Sequence, residues 1–261
     1  MIRLFTSYYP EVNRRRREEI NECLRRNLAE DVIGEVCLFL ENTDSPQQHN
    51  KLRTRTIHSR PLYKDFFVWA RELCGGDSNT VVICNSDIYF DSSLAALGRQ
   101  LLPGQCVALS RWNVRAGGSP ALFDRNDAQD SWIFRGPPRD IVDDFPIGVP
   151  RCDNRMMYEL RRAGYRVINP AFSVRSYHLH AGQREEYDQT NLSAFVDPPY
   201  QYIWPHNLCS LNRTLLYNLL HPSERIGWRM DWRWLRGTLP VRCLQNFASA
   251  LTRTKGATDA A

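Results

Sequence analysis

The sequence lacks the residue spacings that most directly indicate a structural metal or a nucleoside triphosphate site. None of its eight cysteines belongs to a C-x-x-C pair, which argues against a zinc site. It has no glycine-rich P-loop and no G-x-G-x-x-G, so a phosphoryl-transfer enzyme built on those motifs is disfavoured. Several cysteines lie inside apolar runs such as EVCLFL and VVICNS, which predicts reduced, mostly buried thiols of a cytosolic protein.

Long apolar runs and a strong charge of one sign are also missing. No stretch of about 18 apolar residues exists, so no segment is expected to span a membrane. The start, MIRLFTSYYP, lacks the apolar core of a signal peptide, which predicts a cytoplasmic protein. The net charge is only +5 and the basic residues are dispersed, so nucleic acid is not expected as a partner. The small positive surplus suits a protein that handles anionic ligands or lies near an anionic surface.

What the chain does have is an alternation of apolar strands and amphipathic helices. The predicted strands are IRLFTSYY, EVCLFLEN, TVVICNSD and CVALSRWN, and the predicted helices between them are 11–29, 61–74 and SSLAALGRQLL, the last with a serine as its N-cap. Further on, SWIFRGPPRD holds a short strand, DNRMMYELRRAGY a helix, and RVINPAFSVRSYHLHAG a strand-like segment. This order predicts an α/β fold whose central sheet is mostly parallel, Rossmann-like and flanked by helices.

The pattern changes after about residue 195, where proline and aromatic turns begin. It predicts a catalytic domain over 1–195 and a C-terminal extension over 196–261, with about the last ten residues disordered. Within the extension, HPSERIGWRMDWRWLRG would place its arginines beside a tryptophan stripe on one helix. This predicts a basic interfacial helix over 222–239 that contacts an anionic membrane. The alternative is a helix that packs its tryptophans against the rest of the protein.

The segment CNSDIYFD, residues 84–91, ends a buried strand in acidic residues. Asn85 and Asp87 alternate, so both side chains point the same way if the strand continues. Oxygen ligands at a parallel strand end can hold Mg²⁺ or Mn²⁺. His178 and His180 also alternate at a later strand end and are candidate ligands of the same cation. The alternatives are an Asx-rich turn for the first pair and hydrogen-bonded structural histidines for the second.

Several segments, taken in order, resemble a nucleotide-sugar-dependent glycosyltransferase of the GT-A fold. They are TSYYP, NSDIYFD, QDSWIF, FPIGVPRCDNRMMYEL, and YHLH followed by Arg184 and Tyr187. The resemblance covers residues 2 to 190 and is similar in character to bacterial and large-virus transferases that decorate polysaccharide or glycoprotein chains. It implies a nucleoside diphosphate sugar as donor, Mn²⁺ or Mg²⁺ as cofactor, and a glycan, lipid-linked or protein-linked acceptor.

The resemblance also implies roles for individual residues. The D-x-D motif of the family would fall on Asn85, Ser86 and Asp87, with Asp87 on the metal and Asn85 on the ribose or a phosphate. Asn85 departs from the family pattern and removes one negative charge. The late metal-binding histidine would be His178 or His180. The remaining donor contacts would come from Thr6, Ser7 and Tyr8 at the base, Glu41 at the base or ribose, and Arg60 at the phosphates.

An inverting transfer would in addition need a carboxylate base for the acceptor hydroxyl. Asp153, at a predicted helix N-terminus, and Asp130, in AQDSW, are the two candidates. The alternatives are an ordinary helix cap for Asp153, and a loop carboxylate paired with Arg125 or Arg135 for Asp130. The leading hypothesis is therefore a metal-dependent glycosyltransferase. The competing hypothesis is a non-catalytic nucleotide- or carbohydrate-binding protein of the same fold, which Asn85 favours.

Overall fold

The computed structural model describes residues 1–75, 79–114, 118–179 and 195–233. Contacts within the chain separate two compact units, Met1–Trp228 and Arg229–Ala261. Residues 196–228 belong to the first unit, and the backbone N–H groups of Val196 and Gln201 bond to the carbonyls of Pro150 and Asn154. The predicted division after residue 195 stays a prediction.

Strands and helices alternate through the first half of the chain. In order the elements are β1 (Ile2–Tyr8), α1 (Arg14–Ala29), β2 (Ile33–Glu41), β3 (Leu52–Ile57), α2 (Tyr63–Leu73), β4 (Thr80–Cys84), β5 (Ile88–Phe90), a 3₁₀ turn (Ser92–Leu94), α3 (Ala95–Gln100), β6 (Gln105–Leu109), β7 (Trp112–Val114), β8 (Ala121–Leu122), β9 (Ser131–Arg135), α4 (Cys152–Arg162), β10 (Arg166–Ile168), β11 (Ser176–Leu179) and α5 (Leu211–Leu220).

The central sheet has seven strands in the order β10-β6-β9-β4-β1-β2-β3. Every neighbouring pair is parallel except those of β9, which runs antiparallel to both β4 and β6. The predicted mostly parallel sheet is confirmed. The edge strand β3 was not predicted, because its sequence, LRTRTI, is largely exposed and carries no apolar pattern.

Helices cover both faces of this sheet, because alternate residues of the strands point to opposite sides. On one face Leu4 of β1 packs in a core with the α1 residues Ile20 and Leu24. On the other face the next residue, Phe5, meets Trp69 of α2 with ring centroids 5.6 Å apart. The apolar stripes predicted for both helices are therefore the buried ones.

A second, four-stranded sheet has the order β5-β11-β7-β8. It begins where β4 ends, since β5 follows β4 after a three-residue turn. Strand β11 pairs antiparallel with β5 and parallel with β7, which sets His178 opposite Ile88 and Asn113. The small sheet thus carries a histidine from late in the sequence to the carboxyl end of β4.

Four predictions about local structure are wrong in part. CVALSRWN forms two strands in different sheets, and so does RVINPAFSVRSYHLHAG. The predicted serine cap is replaced by Asp91, whose side chain accepts a hydrogen bond from the backbone N–H of Ser93. The helix predicted over 222–239 is absent from 222–231, which follow α5 as turns and irregular chain; positions 234–239 lie outside the described residues.

The prediction of free thiols is confirmed for the cysteines that the structure describes. Six of them are buried and Cys209 is partly exposed, while Cys243 lies outside the described residues. Across those same parts of the chain, no helix combines the length and apolarity needed to cross a bilayer.

Candidate active site at the carboxyl edge of the sheet

Asp87 lies just beyond the carboxyl end of β4 and is the centre of a buried polar cluster. Its Oδ2 accepts a hydrogen bond from the Arg16 guanidinium, which reaches over from α1, and lies 3.0 Å from His178 Nε2. Burial opposes ionisation of this carboxyl, but the nearby His178 and Arg16 outweigh that effect and hold its pKa well below the usual range. Asp87 is therefore an anion, as a cation site requires.

His178 is fixed in place from both sides of its ring. Its Nδ1 lies 3.2 Å from Oδ1 of Asn113 on β7, the strand that pairs with β11. That Asn113 oxygen also accepts a 3.0 Å hydrogen bond from Nε of Arg111, which identifies it as the oxygen of the amide. The ring plane of His178 is thus set before any ligand binds.

Asn85 and Asp130 form a second pair beside the first. Asp130 precedes β9, and because β9 runs antiparallel, this residue comes to the carboxyl end of β4. Asn85 Nδ2 donates to Asp130 Oδ1 at 3.0 Å, and Arg111 Nη1 lies 3.0 and 2.8 Å from the two carboxylate oxygens. Both carboxylate oxygens of Asp130 therefore have donors, and one of them holds the amide of Asn85.

Two buried oxygens in this cluster have no hydrogen-bond partner among the described residues: Oδ1 of Asn85 and Oδ1 of Asp87. A buried acceptor without a partner costs free energy, so a site of this kind suits a bound cation or donor. Oxygen ligands are those that Mg²⁺ and Mn²⁺ prefer. The donor set therefore fits a divalent cation that completes its coordination with substrate phosphates.

The described residues contain no cluster of three or more His, Cys, Asp or Glu side chains that could hold a metal alone. The structure brings Asp87 and His178 together as the sequence predicts. His180, the third predicted ligand, lies outside the described residues. Ser86, between Asn85 and Asp87, is partly exposed in the turn between β4 and β5.

Asp153 lies in the first turn of α4, near Asp130. One oxygen accepts from the backbone N–H of Asn154 at 2.9 Å and the other from that of Gln129 at 3.2 Å. Burial and the charge of Asp130 raise the pKa of Asp153 to about 7. The alternative role, a helix N-cap, is not what Asp153 has: α4 begins after Arg151, a residue with φ of 69°, and has no side-chain cap. Asp153 is partly buried, and with a pKa of about 7 it would exchange a proton near neutral pH.

A third group lies at the carboxyl ends of β1 and β2. Burial raises the pKa of Glu41. A hydrogen bond with Ser7 and the charge of the exposed Arg60 act in the opposite direction but do not cancel that effect. Thr6 is buried, and Tyr8 is buried in the core beside α1. Of the predicted donor-binding residues, Ser7, Glu41 and Arg60 come together here, apart from the pairs at Asp87 and Asp130.

Three residues that organise the site were not predicted: Arg16, Arg111 and Asn113. Arg16 stands in the run RRRREE, which has the composition of a solvated helix face. Nothing in that run distinguishes it from the arginines on either side. Only the packing of α1 against β5 and β11 turns this one guanidinium toward Asp87.

Comparison with known proteins finds similarity to solved structures, but not to family models or curated sequences. No protein-family model matches the chain, and no curated protein matches it. Among solved structures, the mannosyltransferase PcManGT from Pyrobaculum calidifontis, in complex with GDP-Man and Mn²⁺, aligns with a TM-score of 0.44 at 15% identity. That alignment covers 71% of this chain and 58% of that one.

Two other solved structures show a weaker likeness. The S. aureus TarS 1-349 complex with UDP-GlcNAc aligns with a TM-score of 0.31 at 16% identity over 46% of this chain and 36% of that one. A cytidylyltransferase, IspD, from Francisella tularensis aligns with a TM-score of 0.32 at 8% identity over 56% and 70%. The chain spans just over half of the mannosyltransferase and about a third of the TarS chain.

Proposed function

We propose that the protein transfers a sugar from a nucleoside diphosphate sugar to an acceptor hydroxyl. One observation carries the proposal: an ionised Asp87 with an unpartnered oxygen, and Asp153, whose pKa is raised to about 7, lie at the same carboxyl edge of the sheet, where the charges of both act on Arg111. We take this edge as the donor crevice. Sugar transfer needs both kinds of group, a site for the diphosphate and its counter-ion and a base for the acceptor. Open parallel sheets bind their ligands at this edge.

The residues placed to hold a divalent cation are Asp87 and Asn85, through their unpartnered oxygens, and His178, whose Nε2 would exchange its contact with Asp87 Oδ2 for the cation. His180 is a further predicted ligand. Mn²⁺ or Mg²⁺, when bound, would stabilise the negative charge that develops on the departing diphosphate. Asn85 supplies a neutral oxygen where the family pattern has an acid. Because that removes one negative charge, the affinity for the cation depends more strongly on the donor phosphates.

Arginines set the electrostatics of the crevice. Arg16 neutralises Asp87 while no cation is present, and Arg111 neutralises Asp130. Each side chain therefore holds a buried carboxylate in one orientation, which is a positioning role. Both also add positive charge near the position proposed for the diphosphate, and positive charge favours the binding of an anionic donor.

Asp153 is the residue that we assign as the base of an inverting transfer. A base with a pKa near the working pH is unprotonated in a large fraction of molecules and still strong enough to accept a proton. Asp130 is less suited to this role because Arg111 and Asn85 already donate to its oxygens. In the reaction Asp153 takes the proton of the acceptor hydroxyl. At the same time the acceptor oxygen forms a bond to the anomeric carbon, and the bond from that carbon to the diphosphate breaks.

The group formed by Ser7, Glu41 and Arg60 is proposed to bind the nucleoside end of the donor. Glu41 is partly buried beside the hydroxyl of Ser7, so it can accept hydrogen bonds from ribose hydroxyls or base N–H groups. Thr6 and Tyr8, on the same strand, would flank the base. This arrangement runs the donor along the sheet edge from β2 to β4. Glycans, and glycans linked to lipid or protein, remain the proposed acceptors.

A non-catalytic nucleotide- or carbohydrate-binding protein is the second candidate function. Asn85 favours it, since a neutral amide stands where the family pattern has an acid, and one negative charge fewer is available to hold a metal. Such a protein would bind nucleoside diphosphates without turnover. Asp153, held with a raised pKa at the same edge, favours the enzyme.

A screen of nucleoside diphosphate sugars tests the proposal. Each donor is incubated with the full chain, with and without Mn²⁺, and release of the nucleoside diphosphate is measured together with the thermal midpoint. We expect one donor to raise the midpoint and to be hydrolysed slowly, and Asp153→Asn to abolish hydrolysis while it keeps binding. Asp127→Asn is the matched control, because Asp127 is a nearby acid that pairs with Arg125 at the surface. Binding without turnover of any donor would favour the second candidate, and no binding at all would contradict both.

A further inference from the structure

Helix α5 presents an unusual amount of leucine to solvent. Of its ten residues only Thr214 and Tyr217 are buried. At about 100° per residue, the five leucines of α5 occupy one half of the helix circumference, opposite Thr214 and Tyr217. Their exposed fractions lie between 42% and 77%, for Leu211, Leu215, Leu216, Leu219 and Leu220. We call these five residues the leucine face.

The exposure does not come from a loosely attached helix. Tyr217 packs in the same core as Leu24 of α1. Asn218 bonds to the backbone of Ile226 through both ends of its amide, at 2.9 and 2.8 Å, and Ile226 is itself buried. Glu224 forms a two-point ion pair with Arg99 of α3. The helix is therefore anchored along one side, and that anchoring directs the leucine face outward.

An apolar face of this size on a protein surface marks an interaction site. The charges around it indicate the partner. Between residues 201 and 228 the one acidic residue is Glu224, which Arg99 neutralises, while Arg213 and Arg225 are exposed.

We infer that the leucine face of α5 docks on an anionic phospholipid membrane. Leucine side chains would enter the boundary between headgroups and acyl chains, and the arginines would meet the lipid phosphates. A second copy of this chain fits less well, because a two-fold contact across α5 would double the exposed charges of Arg213 and Arg225 at one interface, where the nearby acid, Glu224, is already paired with Arg99. The inference does not rest on the proposed enzymatic function, since a binding protein could dock in the same way.

Vesicle binding by the full chain tests the inference without any sugar donor. Purified protein is mixed with extruded vesicles of pure phosphatidylcholine, or of phosphatidylcholine with 30 mol% phosphatidylglycerol, and the bound fraction is measured by flotation. We expect binding to the anionic vesicles at least tenfold stronger than to the neutral ones, weakened by 0.5 M NaCl. Equal partition into the two vesicle types would overturn the inference.

Substitution of the leucine face supplies the second arm. Leu215→Glu/Leu219→Glu is expected to lower the partition coefficient for anionic vesicles at least tenfold. Val68→Glu, which changes an exposed apolar residue of α2 on the opposite face of the sheet, should leave it unchanged. Binding of the double variant that equals wild type would refute the role of α5.

A third measurement needs no substitution and so does not depend on the variants folding. Hydrogen–deuterium exchange of the wild-type chain, with and without anionic vesicles, should show slower exchange in residues 211–220 when vesicles are present. Light scattering after size-exclusion chromatography measures the molar mass, and so distinguishes self-association from membrane binding. A wild-type dimer that the double glutamate variant converts to monomer, with no vesicle binding by either, would show that a second copy covers the face and would overturn the membrane inference.

Discussion

Arg16 and Asp87 lie 71 residues apart in the chain and form an ion pair at the carboxyl edge of the sheet. One comes from the first turn of α1 and the other from the turn after β4, so the pair joins the first β-α unit to the proposed site. Arg16 also donates to the carbonyl of Leu179 at 2.9 Å, next to His178. A single guanidinium thereby touches both segments that supply the proposed cation ligands.

Removal of Asp87 should affect both stability and binding. Asp87→Ala removes the buried carboxylate that pairs with Arg16, which keeps Glu19 and the Leu179 carbonyl as partners. We expect a loss of about 2–4 kcal/mol in the free energy of unfolding. Binding of Mn²⁺ together with the nucleoside diphosphate should fall below detection in titration calorimetry. Asp91→Asn is the matched control four residues on. Since Asp91 accepts bonds from Ser93 and Tyr177 and lies in a cap, its substitution should leave cation binding intact; a loss of binding there would argue against Asp87 as the ligand.

The pKa of Asp153 predicts the pH dependence of the reaction. A base with a pKa of about 7 must be ionised to act, so kcat/KM should rise about tenfold per pH unit below pH 7 and level off above it. The groups that set this value are Asp130 and Asp127, which raise the pKa, with the charges of Arg111 and Arg125 also acting on Asp153. Initial rates between pH 5 and 9 measure the profile. We expect Asp127→Asn to shift this profile slightly and Asp153→Asn to abolish it. A flat profile in the wild-type protein would exclude Asp153 as the base.

The same shift predicts a pH-dependent contribution to stability. The pKa of Asp153 is higher in the folded chain than its ordinary value of 3.8, so the folded chain holds this proton more tightly than the unfolded chain does. Stability from this group is therefore greatest below about pH 4, falls as the pH rises toward 7, and is constant above. Asp153→Asn should raise the free energy of unfolding by about 1–3 kcal/mol at pH 8 and by little at pH 4. Urea unfolding at the two pH values checks this, and a larger gain at pH 4 would contradict the assignment.

The contact between Asn85 and Asp130 explains why an amide suits this position. Asn85→Asp would set a carboxylate 3.0 Å from Oδ1 of Asp130, and repulsion should lower the free energy of unfolding by about 1–3 kcal/mol. Combining it with Asp130→Asn should recover most of the loss, since the amide and the acid are then exchanged. Thermal unfolding of the four proteins in the cycle measures the coupling. Additive losses would show that the two side chains do not interact.

Strand β2 offers a matched pair of glutamates for the proposed nucleoside end. Glu41, at the carboxyl end, bonds to Ser7, whereas Glu35, nearer the amino end, pairs with Arg3 and Arg53. Glu41→Gln should weaken nucleoside diphosphate binding about tenfold with little change in stability. Glu35→Gln should reduce stability and leave binding unchanged. The reverse result, by calorimetry and thermal unfolding, would move the nucleoside away from β2.

Periodicity in the sequence was enough to predict the parallel core and the crevice at its carboxyl edge. Buried runs such as EVCLFL and TVVIC form β2 and β4 because they are apolar on both faces, and α1 and α2 follow their apolar stripes. Asp87 and His178 meet as predicted because both follow or end strands at the same edge. These features depend on local pattern, which a sequence displays directly.

The features that were missed depend on tertiary contacts. The direction of β9 is not encoded in SWIFR, yet it decides that Asp130 reaches Asn85. The choice of Arg16 among neighbouring arginines follows from how α1 packs. The leucine face of α5 was missed for another reason: helical leucines are expected to lie inward, and here the buried side carries Thr214 and Tyr217 instead.

The antiparallel course of β9 has a practical consequence. Its first residue lies beside the crevice, and its last, Arg135, pairs with Thr80 at the other end of β4. The chain that follows therefore continues at the rim opposite the crevice, about 14 Å away along the strand. Asp140 in that segment has a side chain 97% exposed. A fluorophore or an affinity tag inserted there would report on the molecule, or immobilise it, with the crevice left open to donor and acceptor.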